Sequence, residues 1–210
     1  MGILASVGAL QDSLPGWGPE CASKEERAES VEILGRCLGP GAPAQDAPVA
    51  LGLAVLLDPA GVAEEEVLLE RLVSLKTSKE LRTSILTIRR TRKRLVELVG
   101  QTLPQAAIDR GGWVKLAREP FFGAGAALAL ASDPAAEAGL RETIETLRTL
   151  SKEAPVDPVA LTAKDAMGVG LGPGPALGEV LRRAALASLG GAFPDRDAAL
   201  AWLAEEVAGR

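Results

Sequence analysis

Any chemistry in this chain has to proceed without histidine, because none of the 210 residues is one. That excludes a Ser-His-Asp triad, a His-ligated metal and an imidazole general base together. Two cysteines, Cys21 and Cys37, fall short of the four thiolates of a structural zinc site. Two reduced thiols are expected ahead of one disulfide. Carboxylates are plentiful, with 28 Asp and Glu, but no Asp-x-Asp pair sits on an apolar strand. Glu64, Glu65 and Glu66, and again Asp195 and Asp197, stand at expected helix starts. Acids there complement the positive end of the helix dipole, so capping explains them ahead of metal binding.

Two features could meet a ligand instead. Between Arg71 and Arg94 the chain places nine basic residues and one acid, Glu80, a net +8 within a chain whose total is −5. A basic stripe on an acidic body is the electrostatic footprint of a phosphate-backbone contact. The competing reading is a solvated helix face. Arg89, Arg90, Arg92, Lys93 and Arg94 spread over most of a helix circumference, so they cannot all meet one ligand. The second feature is the loop Gly168-Val169-Gly170-Leu171-Gly172-Pro173-Gly174-Pro175. Its N–H groups and the helix end after it could face a phosphate. It follows a helix rather than a strand, and no Gly-Lys-Ser/Thr follows it, so it is neither a Rossmann fingerprint nor a P-loop. A sharp helix–helix turn with Pro near the first helical position is the preferred reading. Lys164 and Asp165 precede this turn in a short polar helix, where surface roles are expected. Trp17, Trp113 and Trp202 are expected in core or interface positions rather than as platforms for stacked bases.

The elements that must hold these groups are helices. The chain contains 36 Ala and 32 Leu, residues that lose little on entering a helix. Gly/Pro islands punctuate them. Helices are expected at residues 3–12, and from the capping box Ser23-Lys24-Glu25-Glu26 to about residue 38 with Val31, Leu34 and Leu38 inward. Residues 48–57 are apolar almost all round and predict a buried helix. Residues 64–75 should turn Val67, Leu68, Leu72 and Leu75 inward. A long helix should run from Thr77-Ser78-Lys79-Glu80 to about residue 99, with Leu81, Ile85, Ile88, Leu95 and Leu98 inward. Further helices are expected at 105–118, 121–131, 135–150, 162–167 (opened by a Thr162–Asp165 capping box), 176–189 and 195–207. No β-alternating run appears. The expected fold is all-α, an irregular array of about ten helices. It divides into a helical body over residues 1–152, a linker at 153–158 marked by Pro155 and Pro158, and a small helical tail over 159–210. No apolar stretch approaches the roughly 20 residues of a membrane span. The first ten residues lack the basic and apolar regions of a secretory signal. A cytoplasmic location with no membrane partner is therefore expected.

From Leu161 the chain reads Leu161-Thr162-Ala163-Lys164-Asp165-Ala166-Met167-Gly168, continues through the Gly/Pro loop to Ala176-Leu177-Gly178, and later carries Leu181 and Ala198-Ala199-Leu200. This resembles the tail of class II CCA-adding enzymes (tRNA nucleotidyltransferases) and bacterial poly(A) polymerases. Upstream, Arg71-Leu72-Val73-Ser74-Leu75-Lys76-Thr77-Ser78-Lys79-Glu80 is similar to a helix junction of that family. Leu53-Ala54-Val55-Leu56-Leu57-Asp58 is similar to its "A-L-A-A-L-L-H-D" segment, with Leu57 where the family has His. Residues 120–133 lie where the family has a helix ending in "R-A-D-A", a motif not preserved here. The likeness extends over most of the chain, from about residue 2 to 207.

The resemblance implies the helical body and tail of such an enzyme without its nucleotidyltransferase head and neck. A head would use Mg and CTP or ATP; this chain is expected to hold no catalytic residue, metal ligand or cofactor of its own. With Leu57 at the His position, the phosphohydrolase site that some members carry is excluded. What it implies is RNA binding, with the tRNA acceptor/TψC arm or another structured RNA held by shape and backbone. The candidate contacts are Lys76, Lys79, Arg82, Arg89, Arg90, Lys93, Lys164, Arg182 and Arg183. A separate nucleotidyltransferase head or a homodimer partner is the expected protein partner. The alternative is a non-catalytic remnant acting as a protein-interaction or dimerisation module.

Overall fold

A computed structural model describes residues 30, 32–37, 48–58 and 64–209. The helix expected at 3–12, the capping box at Ser23, Trp17 and Cys21 lie outside the described residues. Among the described residues the chain is all-helical, with no strand. Residues 32–37 are helical. They are followed by α1 (Pro48–Leu57), α2 (Glu65–Ser74), α3 (Lys79–Leu98), α4 (Ala107–Ala117), α5 (Phe122–Ser132), α6 (Glu137–Glu153), α7 (Ala163–Gly168), α8 (Pro175–Leu189) and α9 (Arg196–Ala208). Among the described residues no helix is long and apolar enough to cross a membrane.

The helix ends follow local side-chain chemistry. Ser78 accepts the N–H of Leu81 at 3.2 Å, and Asp195 accepts that of Ala198 at 2.8 Å. Each satisfies a donor that the first turn leaves without an intrahelical partner. Thr162 and Asp165 form the reciprocal capping box that opens α7. The 3-10 turn Pro134–Ala136 leads into α6 and moves its start to Glu137. Asp133 accepts the N–H of Ala136 there at 3.1 Å.

The described residues group into two compact units, each made of two stretches of the chain. One comprises the residues up to Val99 together with Pro120–Ile144; the other comprises Gly100–Glu119 with Glu145–Arg210. In the first unit α1 packs against α3 and α5, and α3 packs against α5. Leu51, Leu68, Leu72, Ile85, Ile88 and Leu128 form its fully buried centre. Each such side chain contributes roughly 1.5–3 kcal/mol on leaving water. The small residues of α5 permit the close approach. A Cβ on Gly125 would strike Thr91 and come within 3.1 Å of the Ile88 carbonyl oxygen. Val67 departs from the expected inner face and is 40% exposed. Leu68 and Leu72 already occupy the inner stripe of α2, and Val67 lies about 100° from Leu68 around the helix.

In the second unit α4 lies directly on the backbone of α8. A Cβ on Gly111 would overlap the Leu186 carbonyl oxygen, and one on Gly190 would overlap that of Ala107. This contact explains why α4 groups with the later helices although it precedes α5 in sequence. α7 and α9 also pack on α8. Ala166, Val180 and Leu203 form a buried cluster with Leu171 and Trp202 against it. The Trp202 ring meets Phe193 at 5.5 Å between centroids, tilted by 54°. Trp202 is therefore used in packing.

Candidate nucleic-acid interface

The basic stripe resolves into two sets once α3 is formed. Its buried side is Ile85, Ile88, Thr91, Leu95 and Leu98. At 100° per residue, Lys79, Arg82, Arg90 and Lys93 fall within an arc of about 80° on the opposite side, over about 21 Å of helix. Lys79, Arg90 and Lys93 are exposed and Arg82 is half-buried. Lys76 stands just before them, exposed in the α2–α3 turn. Among the described residues Lys76, Lys79, Arg82 and Lys93 form no ion pair. Arg90 remains exposed but is engaged: its Nε donates to Glu65 Oε2 at 2.9 Å, and a second nitrogen reaches Oε1. That hydrogen bond holds the Glu65 carboxyl below its usual range.

Arg89 and Arg92 face elsewhere. Arg89 is ion-paired with Asp58, the two side chains being 11% and 4% exposed. It is thereby committed to the interior and gives no surface for RNA. Burial pushes the Arg92 guanidinium down from its ordinary value, against the raising effect of the Asp58 and Asp133 carboxylates. Arg71 donates to the Leu57 carbonyl oxygen at 2.9 Å. The Asp58 carboxylate is thus occupied by a guanidinium. No group of three or more His, Cys, Asp or Glu among the described residues could hold a metal ion. The buried pair carried no sequence signal beyond the basic run itself; only the inward placement of Asp58 by α1 selects Arg89 from its neighbours.

The turn between α2 and α3 holds Lys76 in a conformation that usually falls to glycine. Its φ is 52°. The Lys76 N–H donates to Val73 O at 2.9 Å and the Thr77 N–H to Leu72 O at 3.3 Å. This is a Schellman ending, which favours glycine at the left-handed position. Lys at that position costs about 1 kcal/mol relative to glycine.

In the second unit the loop 168–175 is a helix–helix turn. Gly170, at φ 97°, closes α7 through Gly170 N–H to Met167 O at 3.0 Å and Leu171 N–H to Ala166 O at 3.1 Å. Gly172, Pro173, Gly174 and Pro175 are exposed, and Pro175 opens α8. Lys164 is exposed on α7. Asp165, beside it, caps α7 and pairs with Arg196 at 2.7 Å. The Thr162 hydrogen bonds, then Arg196, keep its carboxyl below the usual range. Arg182 pairs with Glu179 on its own helix at 2.7 Å, which raises its pKa. Arg183 bonds Glu206 and so ties α8 to α9. Of the three residues expected here, only Lys164 projects without an ion pair among the described residues. The chain matches no family model, no curated protein and no solved structure.

Proposed function

We propose that this chain is an RNA-binding module that holds a structured RNA, in the manner of the tRNA acceptor/TψC arm held by the CCA-adding and poly(A) polymerase enzymes its sequence resembles. It acts in the cytoplasm and supplies no active site; nucleotide addition would need a separate head carrying Mg and CTP or ATP. One observation carries the reading. Lys79, Arg82, Arg90 and Lys93 share one side of α3, with Lys76 at its foot, while Arg89 turns inward to Asp58, Arg71 bonds the Leu57 carbonyl oxygen and Arg94 pairs with Glu97 on its own helix. A row of cations along a helix suits a phosphate backbone read by position and shape. Lys164 and the exposed Gly/Pro turn are secondary contacts.

The experiment is binding of a fluorescent acceptor/TψC minihelix by anisotropy at 50 and 200 mM salt. Four phosphate contacts, from Lys76, Lys79, Arg82 and Lys93, give a log–log slope of about −3.6 and an affinity loss of roughly 100-fold over that range. Binding that ignores salt, or no binding at 50 mM, rejects the proposal. A second reading, a protein-interaction or dimerisation module, is favoured by α2, where Leu69 and Val73 lie one turn apart and are 40% and 53% exposed. A tight homodimer in sedimentation that ignores RNA would support that reading instead.

A further inference from the structure

The second unit contains a cleft of about 160 Å³ that the RNA reading does not use. Arg110 and Val114 of α4, Leu150 and Pro155 at the end of α6, and Leu189 and Gly191 at the end of α8 line it. The helix ends around it are already satisfied. Arg118 donates to the carbonyl oxygens of Ser151 at 2.9 Å, Ala154 at 3.1 Å and Pro155 at 2.9 Å. The end of α8 closes with Gly191 at φ 79°, its N–H on Ser188 O at 3.0 Å and the Ala192 N–H on Ala187 O at 2.9 Å.

Arg110 differs from these groups. Its Nε is shielded from solvent and has no hydrogen-bond partner. Its guanidinium forms no ion pair among the described residues. The two terminal nitrogens also lack a protein acceptor but are not shielded in this way, so they are the donors that an oxyanion in the cleft would meet. The geometry points to this cleft as a binding site for a small apolar monocarboxylate, its oxygens on Arg110 and its aliphatic part against Val114, Leu150 and Leu189.

Three features select that chemistry. A guanidinium presents a planar fork that matches a carboxylate in two parallel hydrogen bonds. Apolar walls with one convergent polar group suit a short branched aliphatic tail. Glu153, also lining the cleft, repels a dianion such as free phosphate more than a monoanion. The site shares no residue with the proposed RNA surface and stands or falls separately from it.

The test is an amide NMR titration of the full ¹⁵N-labelled chain with sodium isovalerate at constant ionic strength. The expected result is saturable shifts centred on Gly190 and Gly191, with a Kd of about 1 mM, the range open to a ligand of so few atoms. Isovaleramide, the neutral isostere, and inorganic phosphate should each bind at least about tenfold more weakly on the unmodified protein. Arg110→Lys keeps the charge, loses the fork, and should weaken isovalerate by a similar factor with the rest of the spectrum unchanged. Shifts that never saturate, equal binding of isovaleramide or phosphate, or unchanged affinity in a folded Arg110→Lys protein would overturn the assignment.

Discussion

Gly111 and Gly112 are neighbours in α4, yet the same substitution should move stability in opposite directions. A Cβ on Gly111 would overlap the Leu186 carbonyl oxygen and sit 2.6 Å from its carbonyl carbon and 3.0 Å from its Cα. A Cβ on Gly112 would meet nothing within 4 Å. The obstacle at Gly111 is the backbone of another helix, so no change of rotamer relieves it, and α4 and α8 have to part. Overpacking costs about 1–3 kcal/mol, and backbone overlap places Gly111→Ala at the upper end, about 3 kcal/mol. At Gly112, Ala removes the entropic cost of a helical glycine and should add about 0.5–1 kcal/mol. Urea unfolding followed by Trp fluorescence is the assay, because Trp113 in α4 and Trp202 in α9 both belong to this unit. With a slope of about 1.5 kcal/mol/M, the Gly111→Ala midpoint should fall by about 2 M and the Gly112→Ala midpoint rise by about 0.5 M. Equal midpoints, or a Gly111→Ala protein as stable as the parent, would refute the α4–α8 crossing.

Three other outcomes follow from the first unit. Asp58→Ala leaves the Arg89 guanidinium buried without its carboxylate and should cost about 3–5 kcal/mol, whereas Asp58→Leu with Arg89→Met should recover most of it; thermal unfolding by circular dichroism measures both. Lys76→Gly should raise stability by about 1 kcal/mol by relieving the left-handed backbone, and should also weaken minihelix binding; a stability gain with unchanged RNA affinity removes Lys76 from the interface. Burial pushes the Cys37 thiol up to about 12, so it stays protonated at pH 8 and should resist iodoacetamide until denaturant is added. Peptide mass spectrometry separates that modification from labelling of Cys21, and rapid labelling of Cys37 in the native chain would contradict its burial.

Much of the architecture was legible because it is written in local chemistry. The side chains of Ser78, Asp195 and the Thr162–Asp165 pair each cap a helix within three residues, so the sequence reveals those starts directly. The inner stripe of α3, from Ile85 to Leu98, follows from helical period alone. Val67 was misplaced because a short amphipathic helix has more apolar residues than its buried stripe can take. The grouping of α4 with α8 depends on two glycines, Gly111 and Gly190, about 80 residues apart, and on backbone contact that no periodicity reports. At the interface, the run from Arg71 to Arg94 announced a charge excess but not its direction. Arg89 and Lys93 look equivalent in sequence. Only the position of Asp58 and the buried side of α3 separate the internal cation from the external one. Arg110 was missed for the same reason, since what singles it out is a missing acceptor in a cleft built by three distant segments.

The central claim is that the exposed side of α3 holds RNA by its phosphates. Its most direct test compares the parent with a Lys79→Ser, Arg82→Ser, Lys93→Ser protein in minihelix binding over a series of salt concentrations. Removing three phosphate contacts should flatten the log–log slope by about 2.7, and should weaken binding most at low salt. A folded triple variant whose affinity and slope match the parent's would contradict the claim.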